Sequence, residues 1–102
     1  MSTPRNQEHL YIRIGEKKAR VRELSSVVRH CQREIDSVNN ELSSKLGRKS
    51  HAWRDSTEGK EFQRDCRRKR ENYQNRLNDA QSQIDHLERE LDRLISQATA
   101  RG

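Results

Sequence analysis

The sequence predicts an all-α fold, an antiparallel two-helix hairpin of coiled-coil character. Three observations predict it. Apolar residues recur at alternating steps of four and three along two long segments. Between those segments lies a stretch, GRKSHAWRD, in which the pattern lapses. Of the 102 residues, 28% are hydrophobic and 37% charged, which is too apolar-poor for a globular core and fits helix formers around a narrow seam. A chain this polar would otherwise read as disordered; the periodicity argues against that.

Residues 1–9, MSTPRNQEH, are polar and patternless, contain Pro4, and are expected to be flexible. Gly15 weakens the start of the first helix by about 1 kcal/mol relative to Ala. The first seam is Leu10, Ile14, Lys17, Val21, Leu24, Val28, Cys31, Ile35, Val38 and Leu42, in which only Lys17 is not apolar. It predicts helix 1 over about 9–46, with Leu46 and Gly47 as its last turn and glycine cap. Residues 47–55 form the bend. Asp55, Ser56 or Thr57 can cap the next helix, and Asp55 with Glu58 resembles a capping box.

The second seam is Phe62, Cys66, Arg70, Tyr73, Leu77, Ala80, Ile84, Leu87, Leu91, Leu94 and Ala98, which predicts helix 2 over about 56–98. Two steps of four follow each other from Phe62 through Cys66 to Arg70, and there the seam loses its apolar member. Residues 99–102 are expected to be a flexible end. A hairpin buries one stripe per helix and is marginal alone, so it is expected to complete a helical bundle with a partner, a second copy or another helical protein.

Folding back around residues 48–49 would set Cys31 level with Cys66, Leu24 with Tyr73, Ile14 with Ile84 and Leu10 with Leu87. The two cysteines then read either as small buried hydrophobes or as a disulfide across the hairpin, which the chain-entropy model values at roughly 3–4 kcal/mol. In this register Leu91, Leu94, Ile95 and Ala98 overhang helix 1, and they, with Leu87, become a surface for a partner.

The formal charge of +6 is concentrated: residues 45–70 carry ten Lys/Arg against four Asp/Glu, and the rest of the chain balances. The run Arg67, Arg68, Lys69, Arg70 is a basic patch able to orient a partner. Nucleic acid is disfavoured, because acids interleave with these cations and Tyr73 is the single aromatic nearby. There is no phosphate loop, HExxH, GxSxG or calcium loop, and His9, His30, His51 and His86 are scattered. The sequence therefore predicts no catalytic residues, no metal and no cofactor. The absence of a long apolar run and of an apolar signal core predicts a cytoplasmic chain that spans no membrane, exported, if at all, without a cleaved signal.

Two helices with Trp53 at the bend and Phe62 nine residues on resemble the WXG-type family of type VII secretion, whose bend reads Trp-x-Gly with an aromatic about eight residues after the Trp. Residues Tyr73 to Leu94, YQNRLNDAQSQIDHLERELDRL, look like the second helix of the small proteins that accompany that system's LXG-type toxins. The chain departs from the pattern in having Asp55 where the family has Gly, with Gly59 four residues later. The family's Tyr-x-x-x-Asp/Glu export signal is missing, since Gly15 follows Tyr11 and Leu77 follows Tyr73 at that spacing. The resemblance implies a targeting or chaperone-like subunit that travels with, or is handed to, a partner carrying the signal. Trp53 and Phe62 would belong to its binding face, and the partner would be a toxin's N-terminal helices or a second small hairpin. The alternative is a homodimeric coiled-coil scaffold or regulatory adaptor, and the third, less favoured reading is a nucleic-acid binder through residues 45–70.

Overall fold

A computed structural model describes residues 3–100, with side chains from residue 7 onward. Among the described residues all regular structure is helical: α1 spans Thr3–Arg48, α2 spans His51–Asp55 and α3 spans Thr57–Ala100. The flexible ends expected at 1–9 and 99–102 lie outside the described residues at 1, 2, 101 and 102; elsewhere they are helical, in α1 from Thr3 and in α3 to Ala100.

Every residue of the two predicted seams is buried or half-buried, including the polar members Lys17 and Arg70. The opposite faces are held by local pairs at helical spacing, such as Arg20 with Glu23, Gln32 with Asp36, and Gln81 with Asp85. Lys45 and Arg48 in the last turn of α1 complement its dipole, as Glu58 does in the first turn of α3.

The chain divides into two compact units, one being Val28–Asn78 and the other comprising the chain on either side of it. In each, α1 packs antiparallel against α3. In the unit outside Val28–Asn78, Leu10 and Ile14 of α1 form one buried cluster with Leu91 and Leu94 of α3, with Val21 packed against it. Lys17 Nζ meets Glu90 Oε2 at 2.6 Å alongside this cluster. In the unit Val28–Asn78, the His30 ring stands edge-on to Tyr73 with centroids 6.2 Å apart, and Arg70 donates to Asn39 Oδ1 at 3.1 Å.

These contacts correct the expected register. Leu10 and Ile14 meet residues about seven positions beyond Leu87 and Ile84, and Tyr73 meets His30 rather than Leu24. The slip is one heptad, roughly 10 Å of axial rise. Its cause lies in the bend. Gly47 does not cap α1: its φ is not positive, and the helix continues through it to Arg48. Residues 51–55 then form a helical turn of their own instead of a loop. The reversal is thus centred on α2, a few residues later than expected, and each residue of delay moves the pairing by two.

Candidate functional site

The bend is built around Trp53. Ser50 caps α2, its Oγ accepting from Trp53 N at 3.2 Å. Ser56 ends α2 and begins α3. Its N–H donates to Trp53 O at 3.0 Å, its Oγ–H donates to the same carbonyl, and its Oγ accepts from Gly59 N at 3.1 Å. Of the three candidate caps Ser56 therefore serves α3, and the Asp55–Glu58 capping box is not formed. Gly59 is buried beside this junction, where a Cβ would stand 2.0 Å from Trp53 O. Gln63 Nε2 ties the two helices together by donating to Arg54 O and to Gly59 O, each at 3.2 Å.

The Trp53 and Phe62 rings lie 5.9 Å apart, and both are half-buried. Lys45 Nζ sits 4.4 Å from the Phe62 centroid and 5.9 Å from that of Trp53, while Lys49 Nζ lies 5.6 Å from Trp53. Trp53 Nε1 is buried without a hydrogen-bond partner among the described residues. The aromatic pair thus plugs the bend under a lid of two ammonium groups, leaving little of its face for a partner.

At Leu91 and Leu94 the expected overhang is corrected: both are buried, at 8% and 6% exposure, against Leu10 and Ile14. Leu87 is half-buried. Of the residues expected at the partner surface here, Ile95 is open, at 42%. Tyr11 and Ile12, at 59% each, join it as exposed large hydrophobics of the same unit. Sequence reasoning passed over both because they fall outside the seam steps. The signal was present in Leu10-Tyr11-Ile12-Arg13-Ile14, where four apolar residues in five exceed what a two-position seam needs.

The cysteines are free thiols, Cys31 wholly buried and Cys66 nearly so. The heptad slip separates the levels at which they stand, so a Cys31–Cys66 disulfide is not formed, and the two act as small buried hydrophobes. Burial pushes the Cys66 thiol pKa up, and Glu41 adds to the effect. Arg67, Arg68 and Lys69 of the basic run are exposed, whereas Arg70 turns inward to Asn39.

His86, exposed to solvent, meets Glu90 Oε1 through Nε2 at 2.5 Å, so Glu90 bridges His86 and Lys17. The hydrogen bond from Lys17 holds the Glu90 carboxyl below the usual range. Among the described residues no group of His, Cys, Asp and Glu could hold a metal, and no helix is long and apolar enough to cross a membrane. Comparison of the chain with family models, characterised proteins and solved structures gives no match.

Proposed function

We propose that this chain is a non-catalytic helical-hairpin binding protein whose partner is another helical protein. The observation that carries the reading is the exposure of Tyr11, Ile12 and Ile95 beside the buried cluster of Leu10, Ile14, Leu91 and Leu94. Large apolar side chains left exposed on a highly charged helical surface mark a contact face. A partner helix laid against these side chains extends the narrow core of the hairpin into a bundle.

The finer reading is a targeting or chaperone-like subunit for a type VII secretion effector, with the effector's N-terminal helices as the ligand. The position of Trp53 at the bend, with Phe62 packed on it, supports that reading. Its test is co-elution of the full chain with the N-terminal helical segment of an LXG-type toxin on size exclusion. Co-elution that is lost with Ile12→Asp and Ile95→Asp together supports the assignment. Failure to co-elute, or co-elution unaffected by both changes, contradicts it. A mass by light scattering of twice the monomer for the chain alone supports the homodimeric scaffold instead.

A further inference from the structure

In the unit Val28–Asn78, Lys60, Arg64 and Arg67 follow one another at steps of four and three along α3 and, with Gln63, line one shallow groove. All three cations are exposed. Gln63 is committed to the backbone carbonyls of Arg54 and Gly59. Glu58, Glu61 and Asp65 repeat at similar steps but stand about a third of a turn around the helix. The acids that interleave with the cations in sequence therefore form a stripe of their own. Glu71 closes the basic stripe one turn beyond Arg67. Among the described residues the ion pairs are Lys17–Glu90, Arg20–Glu23 and His86–Glu90, so none of Lys60, Arg64 and Arg67 is paired.

We infer that the groove lined by Lys60, Arg64 and Arg67 binds the phosphate backbone of duplex nucleic acid, without regard to sequence. Arginines suit phosphate, whose oxygens they meet with two parallel donors. The stripe begins in the first turn of α3, where the helix dipole adds positive potential. An acidic protein is a poorer fit, because protein interfaces are anchored by apolar or aromatic side chains. The groove is lined by Lys, Gln and Arg alone, and Trp53 and Phe62 nearby lie under Lys45 and Lys49. Single strands need aromatic platforms for their bases, and Tyr73 is engaged with His30. With no aromatic lining the groove and no groove-reading element, the binding is independent of base sequence.

The test is fluorescence anisotropy of a labelled mixed-sequence duplex titrated with the full chain over a series of salt concentrations. Three to four phosphate contacts predict a slope of log affinity on log salt of about −3 to −4. The variant K60Q/R64Q/R67Q is expected to lose at least about tenfold in affinity and to flatten the slope to about −1. A charge-matched control, K18Q/R22Q/R29Q, alters exposed cations elsewhere and should stay within about twofold. The single change Arg64→Glu, with helix content checked by circular dichroism, should by itself weaken binding about tenfold. No binding at low salt overturns the inference, as does a control that loses as much as the triple variant. Displacement of the duplex by poly-glutamate at a lower charge concentration than by unlabelled duplex also overturns it and assigns the groove to acidic proteins.

Discussion

Gly59 lies so close beneath the Trp53 carbonyl that a Cβ would come within 2.0 Å of the oxygen and 3.1 Å of Arg54 Cα. The neighbours are backbone, and the carbonyl is held by the amide and hydroxyl of Ser56. Neither side can yield by a rotamer change. The glycine is required by proximity rather than by an unusual φ. Gly59→Ala is therefore expected to cost about 1–3 kcal/mol in chemical denaturation and to shift the Trp53 fluorescence. Gly15 lies in the interior of α1 and Gly47 in its last turn, with nothing within 4 Å of where a Cβ would stand. Alanine at either should stabilise by about 0.5–1 kcal/mol. Equal effects at all three glycines would contradict the close approach at Gly59.

The caps at the bend have unequal weight. Ser50→Ala removes one acceptor for an otherwise unsatisfied amide and should cost about 1 kcal/mol. Ser56→Ala removes the acceptor for Gly59 N and a donor to Trp53 O, and should cost more, up to about 2 kcal/mol. Asp55→Ala should change stability by less than about 0.5 kcal/mol. Denaturant midpoints of the three variants check the order, and an Asp55 effect as large as that of Ser56 would restore the capping box.

The two neighbours Leu94 and Ile95 are expected to behave in opposite ways. Leu94→Ala opens a cavity against Leu10 and Ile14 and should destabilise by about 2–5 kcal/mol, with Leu91→Ala alike. Ile12→Asp and Ile95→Asp leave that cluster intact and should each change stability by less than about 0.5 kcal/mol. Thermal unfolding separates the two classes, and a large loss from Ile95→Asp would mean that its side chain is part of the fold.

Glu90 carries a pH dependence. The Lys17 hydrogen bond, with smaller help from the charges of Lys17, His86 and Arg93, holds its carboxyl pKa down. A carboxylate lowered on folding stabilises the native state fully above its unfolded pKa of about 4.3. That contribution fades as the pH falls through the lower folded value. Glu90→Gln should therefore be less stable than the parent at neutral pH, with the gap closing under acid. A gap that persists at strongly acidic pH would show that the loss is one of packing.

The architecture was legible in the sequence because burial on a coiled-coil face repeats every seven residues, and each seam residue from Leu10 to Leu42 and from Phe62 to Ala98 is covered as its spacing implies. The register was not legible, for the same reason. Sliding one helix by a heptad again matches apolar rows, so Ile14 can meet Ile84 or Leu91 with nearly equal apolar cover. Local features decide between them: the continuation of α1 through Gly47, the helical turn at Trp53 and the pairing of Lys17 with Glu90. A glycine after an apolar run reads as a cap, yet nothing in the sequence told that the helix would pass through Gly47. The site followed the register. With the slip of seven, Leu91 and Leu94 close the core, and the free apolar surface passes to Tyr11, Ile12 and Ile95.

Paired-cysteine oxidation between α1 and α3, in a background with Cys31→Ala and Cys66→Ala, reads that register directly. Ile14→Cys with Leu91→Cys should close into an intramolecular disulfide under mild oxidant, while Ile14→Cys with Ile84→Cys should stay reduced. Closure of the Ile84 pair in preference to the Leu91 pair would return Leu91 and Leu94 to the open end of the hairpin and contradict the assignment of Tyr11, Ile12 and Ile95 as the binding face.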